Sequence, residues 1–488
     1  MKTLIVSFAA LLLLAAPLSL AAQDDGQGGF GFGFADEDTA GSAGLSSPAP
    51  TVIIGGELSS VFTAYPHDFR SWDDTLKSSL GDLLSGSLSV SAFASNAEGF
   101  ISLKLAPVFG ASAASPLSID EAYARAFFGA LTVEAGLRKL TWGKADSLGP
   151  LDVINPLDYR DLTDLTDILA MKISRPMLHL TYSLGNFSKL EAVFVPWFEG
   201  HRFAADGRWA PSQIGGMLST VENSLAPLVM ANPALVPAIP RITEYLRGLF
   251  ARQDTLLSTT GLGYAQAGLR FTTTVGASDL GIQYYFGRLP RPAAAFTGME
   301  QLVAQAAAGS DLTWRPAYDY NRYHQIGADY AQVIGGFNIR AELAANITED
   351  LAGDDGEIYN PSLAWSLGFD RDLLWGINLN LQVNETIRLF DGQVQDNRVL
   401  DVEAGTDISS TRLTGILSKK FLRDELEVRT ALIWGLEDQD FYILPGLFWT
   451  RGDVVLEFSG GIIAGEKTGE LGQYRDNGFI KLGLTYSF

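Results

Sequence analysis

From Thr51 onward, apolar and polar residues alternate with a period of two in segment after segment. The clearest case is Ile377-Asn378-Leu379-Asn380-Leu381-Gln382-Val383-Asn384. A strand sends successive side chains to opposite faces, so here aliphatics share one side and carboxamides the other. The same pattern sets Leu131, Val133, Ala135 and Leu137 against Thr132, Glu134, Gly136 and Arg138. Phe337, Ile339, Ala341 and Leu343 oppose Asn338, Arg340 and Glu342, and Val454, Leu456 and Phe458 flank Glu457. No apolar run in this part of the chain is long enough to cross a bilayer as a helix.

The alternation predicts about eighteen strands, near 51–64, 86–96, 99–109, 119–128, 131–141, 171–184, 187–197, 262–275, 278–288, 320–333, 336–347, 361–371, 374–388, 409–421, 424–435, 440–450, 453–464 and 477–488. The segments near 320 and 440 are weak, so the count spans 16–18. Short connections such as Gly129-Ala130, Gly276-Ala277-Ser278, Arg423-Asp424 and Arg451-Gly452 carry the residues tight turns need. Long connections, at 65–85, 110–118, 142–170, 198–261, 289–319, 348–360, 389–408 and 465–476, are expected at every other position. The expectation is an all-β, transmembrane antiparallel β-barrel over 51–488, with lipid outside, a polar lumen, short periplasmic turns and long extracellular loops. Pro107, Pro176 and Pro196 each remove a ladder donor and are expected at strand ends or bulges.

Residues 1–22 read as a signal peptide: Lys2, an apolar run from Leu4 to Leu14, and the small-residue exit Ser19-Leu20-Ala21-Ala22. Residues 23–50 hold Gly28-Gly29-Phe30-Gly31-Phe32-Gly33-Phe34 and a Pro/Ser-rich end, and read as a flexible periplasmic tail on which a periplasmic partner would dock. Localisation is therefore expected at the cell outer membrane, with both termini periplasmic. Net charge is −21, which disfavours nucleic acid as a partner. The chain has no cysteine, which removes disulfides, thiolate catalysis and Cys-ligated metals.

Glu121, Arg125, Glu134, Arg138, Arg340, Glu342, Glu427, Arg429 and Glu457 fall on the lumen face. Both signs occur on neighbouring strands, so cross-strand ion pairs are expected. They either brace the wall or form an electrostatic lining for a pore. Two loops are candidates for folding inward. The first carries Trp142, Lys144, Asp146, Asn155, Asp158, Arg160, Asp161 and Asp164. Its spaced carboxylates lack the glycine-hinged ligand loop of a calcium site, so no metal is expected. The second, 214–258, is apolar, with helical spacing at Ile239, Ile242, Leu246, Leu249 and Phe250. It reads either as a plug or rim cap, or as a greasy vestibule for a hydrophobic molecule.

Catalysis finds no motif: the four histidines, His67, His179, His201 and His324, have no nucleophile motif beside them, and neither a G-x-S-x-G elbow nor H-E-x-x-H occurs. No enzyme activity and no cofactor are expected. The expected role is a porin-like channel for passive passage of a solute, with two alternatives, a gated conduit for a hydrophobic or lipid-like substrate and a surface adhesin or structural barrel.

Two resemblances follow. Leu482, Leu484, Tyr486 and the terminal Phe488 share one face, and this pattern resembles the signal read by the barrel-assembly machinery. The run Glu121-Ala122-Tyr123, Gly136-Leu137-Arg138-Lys139-Leu140-Thr141-Trp142-Gly143 and Asn155-Pro156-Leu157-Asp158 resembles an uncharacterised family of Gram-negative outer-membrane proteins. Leu137 and Lys139 depart from that family's pattern around Arg138. The resemblance implies a large barrel, genomic association with lipid-handling transport proteins and no settled substrate.

Overall fold

The computed structural model describes residues 51–66, 84–106, 117–204, 207–212, 233–250, 259–295, 299–315, 317–396 and 400–488. The predicted leader, the tail, Pro107 and much of the 65–85, 110–118 and 214–258 connections lie outside the described residues.

Among the described residues, eighteen antiparallel strands form one closed sheet. In chain order they are β1 (Thr51–Ala64), β2 (Ser85–Phe93), β3 (Ala97–Leu105), β4 (Leu117–Phe128), β5 (Leu131–Arg138), β6 (Arg175–Ser183), β7 (Ser188–Val195), β8 (Gln266–Val275) and β9 (Ser278–Arg288). The second half comprises β10 (Arg322–Ile334), β11 (Phe337–Thr348), β12 (Ser362–Asp372), β13 (Ile377–Arg388), β14 (Ser409–Phe421), β15 (Leu426–Gly435), β16 (Asp440–Arg451), β17 (Val454–Ala464) and β18 (Phe479–Ser487). Each pairs with its sequence neighbours. β1 also pairs with β18, from Glu57 opposite Ser487 to Ala64 opposite Ile480, which closes the ring. Each of the eighteen predicted segments overlaps one of these strands, with ends that differ by a few residues. β6 begins later than expected because a helical turn, Ile168–Met171, precedes it, with Ala170 N donating to the Asp167 side chain at its start.

At one end the strands are joined by tight turns, and Gly129 (φ 63°) and Gly335 (φ 60°) supply the left-handed backbone such turns require. The other end carries the long connections, with one departure from the expected alternation. β15 and β16 are joined there by only four residues, Leu436 to Gln439, with Gln439 at φ 48°. Pro176 is the second residue of β6 and Pro196 follows β7, as strand-end prolines should. Pro445, which the pattern reading missed, lies inside β16. Around it the register with β17 passes from Ile443 opposite Ile462 directly to Gly446 opposite Ser459. The residues skipped on β17 are Gly460 and Gly461. A gap in the ladder is where a residue without an N–H costs least.

Directly opposite residues share a face, so the register assigns every side chain to the lumen or the outside. Outside are Leu178, Leu190, Leu269, Ile282, Ile326, Leu343, Leu367, Leu456 and Leu482, all exposed. Inside are buried polar groups: Glu134, His179, Glu191, Arg270, Gln283, Gln325, Asp329, Arg340, Glu342 and Gln382. This inverts a soluble protein, with an apolar belt outward and charge inward.

Candidate functional site

The inner wall between β3 and β12 is a chain of opposite charges on successive strands. Arg125 bridges Glu98 (3.0 Å) and Glu134 (2.5 Å), and Glu134 also meets Arg138 and His179 Nδ1 (2.5 Å). Further round, Arg270 holds Asp329 at 2.6 Å and Arg340 holds Asp370 at 2.8 Å. The remaining predicted lumen residues also point inward. The backbone N–H of Lys139 donates to Glu121 (2.8 Å), Glu457 pairs with Lys481 (3.2 Å), and Arg429 lies 4.5 Å over the Phe448 ring. Glu427 sits opposite Lys420 and Phe448.

Residues 139–157, which follow β5, turn into the barrel. Asn155 ties the base of this inner loop: its side-chain oxygen accepts from Leu140 N (2.8 Å), and its amide donates to Arg138 O (3.0 Å) and Ile173 O (2.9 Å). Beside it Lys172 is buried against Asp152 (2.7 Å) and donates to Leu140 O and Thr141 Oγ1. Trp142, 2 % exposed, packs in an apolar cluster with Ile154, Met177, Val195 and Tyr285. A Cβ on Gly268 would lie 2.7 Å from its ring, so the wall strand is bare where the indole comes closest.

Beyond Trp142 the loop is bound to the wall mainly by carboxylates and carboxamides of the strands. Glu342 accepts from the backbone N–H groups of Lys144, Ala145 (2.7 Å) and Leu151 (3.2 Å). Gln382 accepts from Asp146 N (2.8 Å), and Ser147 meets Thr414 of β14 at 3.2 Å. The Asp146 carboxylate is held by Arg340 and Asn380. Gln283 and Gln325 donate to the Leu151 and Pro150 carbonyls, each at 2.9 Å. The loop thus reaches from β5 to β14, nine strands along an eighteen-strand ring.

Asp158, Arg160, Asp161 and Asp164 lie further on, at the long-loop end. Asp158 pairs with Arg160, and burial of the carboxylate is outweighed by those Arg160 contacts, so its pKa is lowered. Asp161 and Asp164 accept from the backbone of Thr163 and Thr166 in their own turns, both at 2.9 Å. Among the described residues no His, Cys, Asp or Glu group has metal-site geometry. Leu162 enters a second apolar cluster with Tyr65, Trp209, Tyr442, Tyr474 and Phe479, and Tyr442 Oη donates to Leu162 O at 2.7 Å.

The connection after β7 joins these segments at the long-loop end. Tyr159 stacks on Phe203 with ring centroids 5.4 Å apart, and Leu157 N donates to His201 Nδ1 at 2.9 Å. Burial and the nearby Arg291 charge lower the His201 pKa to about 4, so the ring is neutral and accepts. The helical spacing at 239–250 is realised as α1 (Ile239–Phe250), which packs with α2 (Met299–Ala307) of the next long connection. Ile242, Leu246 and Leu302 are buried there, and Tyr245 Oη donates to Trp314 O.

Sequence reasoning missed Gln283, Gln325, Asn380, Gln382 and Thr414. Their signal was present as the polar phase of each alternation, but charge drew attention to other positions. On the outside, Leu482, Leu484, Tyr486 and Phe488 are all exposed on one face, and Phe488 exchanges backbone hydrogen bonds with Gly56.

No family model matches the chain, and no curated protein matches it. Solved barrels resemble it in outline. OccAB4 of Acinetobacter baumannii is 9 % identical with a TM-score of 0.47, covering 90 % of this chain and 98 % of its own. Wzi of Escherichia coli, described as a carbohydrate-binding outer-membrane barrel, is 11 % identical with a TM-score of 0.45, covering 89 % and 84 %. OmpF of Salmonella typhi is 7 % identical with a TM-score of 0.39, covering 90 % and 97 %. At these values nothing about cargo passes to this chain. The coarse expectation of a large porin-like barrel stands on the closed sheet. The finer resemblance built on Arg138, Trp142-Gly143 and Asn155-Pro156-Leu157-Asp158 gains no family match.

Proposed function

We propose that this chain is an outer-membrane channel through which a small solute passes passively, its route narrowed by the inner loop 139–157. The observation that carries the reading is the anchoring of that loop to the lumen wall by Glu342, Gln382 and Arg340. A barrel that served only as a scaffold has no need of a loop bonded along half its inner ring.

The belt of exposed aliphatics supports insertion in a bilayer, where a closed barrel satisfies every strand hydrogen bond internally. Short turns then face the periplasm and long loops the exterior. The outward C-terminal face of Leu482, Leu484, Tyr486 and Phe488 supports recognition by the barrel-assembly machinery, with membrane lipids as neighbours. Selectivity comes from wall charge and loop constriction, and the reading assigns no catalytic step. A hydrophobic conduit gated by 214–258 is disfavoured because the described part of that segment buries Ile242 and Leu246 where α1 packs with α2. Refolded protein in a planar bilayer is expected to give stepwise ohmic currents. Silence from both the native chain and a variant lacking 143–152 would overturn the proposal.

A further inference from the structure

We infer that the chamber on the long-loop side of the inner loop is a docking site for a neutral, polyhydroxylated solute of monosaccharide size. The inference rests on the channel reading and adds the class of solute. A cavity of about 270 Å³ lies between the inner loop and the wall. At ~30 Å³ per water this is room for about nine waters, at the small end for ligand pockets. That suits one sugar ring or a linear hexitol.

Its polar lining includes Gln325, Asn346, Asn384 and Thr386, with Tyr323 beside them, and its apolar lining includes Pro150 and Val153 of the inner loop. The lumen-facing positions at the level of the cavity, Ala364 and Ser366 on β12 and Gln382, Asn384 and Thr386 on β13, carry no charge, and the next one along, Arg388 opposite Ser362, is paired with Asp391 and Glu403. Glu385 also borders the cavity, but in its register position it leaves on the outer face, where it accepts from Trp365 Nε1 at 2.7 Å. The neutrality is local, since the wall between β3 and β12 below is lined with ion pairs.

Carboxamides offer donors and acceptors together, which matches a hydroxyl that is both, and gives an ion no countercharge. Their orientations are fixed before any solute arrives. Gln325 Nε2 donates to Pro150 O and to Asn346 Oδ1 (3.0 Å), Asn346 Nδ2 to Ser362 Oγ (3.2 Å), and Gln382 Nε2 to Asn384 Oδ1 (2.7 Å). Val153 and Pro150 supply an apolar surface for the C–H face of a ring. Pre-set polar groups beside an apolar face favour one solute class over a generic aqueous pore.

The test uses liposomes carrying the refolded full-length chain, with swelling rates in glucose, sorbitol, gluconate and glucosamine, and in parallel the current noise on adding glucose to a planar bilayer. Glucose and sorbitol are expected to enter faster than both charged solutes of similar size, and glucose to add saturable noise. Asn384→Leu and Asn346→Leu should each lower the glucose advantage about fivefold, the worth of one neutral hydrogen bond. Asn384→Asp, which keeps the shape, should shift preference toward glucosamine. Barrel integrity of every variant is read from heat-modifiable migration on gels. Ionic currents accompanied by equal entry of all four solutes, or an unchanged preference in folded variants, would overturn the inference while leaving the channel intact. Absence of any current would instead remove the channel reading, and the inference with it.

Discussion

Glu342→Ala should release the inner loop. The carboxylate is 4 % exposed and accepts three backbone N–H groups, from Lys144, Ala145 and Leu151. A hydrogen bond to a charged group contributes roughly 1.5–3 kcal/mol. Part of that is offset by the cost of burying the carboxylate itself, so the three together are expected to hold the loop by about 3 kcal/mol. At ~1.4 kcal/mol per tenfold, removal shifts the ratio of docked to released loop by roughly 150-fold. Asp146, Gln283, Gln325 and Gln382 still tether the segment. The outcome is therefore a wider, noisier pore and not a lost barrel. Single-channel recording should show larger mean conductance with frequent substates, and trypsin should cut after Lys144 in the variant only. Glu342→Gln, which keeps one acceptor oxygen, should fall between. Native conductance and native protease resistance in a correctly folded Glu342→Ala barrel would refute the reasoning.

Acidification should loosen the loop contact at His201. Its folded pKa of about 4 lies below the ordinary 6.5, so the stabilisation is present above pH 6.5 and is lost as pH falls from 6.5 toward 4, reaching about 3 kcal/mol at ~1.4 kcal/mol per pH unit. A falling protection factor of the Leu157 amide over that window, with the exchange rate corrected for its intrinsic pH dependence, checks it, and a protection factor that does not change with pH would count against it. Lys172→Met strands Asp152 in a buried site and should weaken the 139–157 segment by about 3–5 kcal/mol, whereas pairing it with Asp152→Leu should restore most of the loss; exchange rates across the segment decide. Deleting Phe488 removes both hydrogen bonds to Gly56 and the outermost aromatic of β18. Membrane assembly yield, read by heat-modifiable migration, should fall.

The strands were legible because a half-apolar, half-polar wall leaves a period-two trace, and nine charged lumen positions followed from it. Pro445 escaped because its disruption is absorbed by Gly460 and Gly461 on the partner strand, a non-local compensation. The brevity of Leu436 to Gln439 was hidden by counting connections in strict alternation. The loop that begins at Trp142 was a candidate for folding inward, but its attachment was not foreseen. Bonds from Glu342, Gln382 and Thr414 to residues about 200 or more positions earlier depend on ring closure, which no local pattern encodes. The apolar stretch near 239–250 was read correctly as helical at its spacing, while its burial partner, α2, sits in a different connection.

The central claim, that the ring encloses the aqueous route, is tested most directly by cysteine accessibility in single channels, since the native chain has no cysteine. Ser91 faces the lumen on β2, and Leu88 on the same strand faces outward. A charged, membrane-impermeant methanethiosulfonate reagent is predicted to step the current down in Ser91→Cys and to leave Leu88→Cys unchanged. Equal reactivity at both positions, or a current indifferent to modification of Ser91→Cys, would contradict the account.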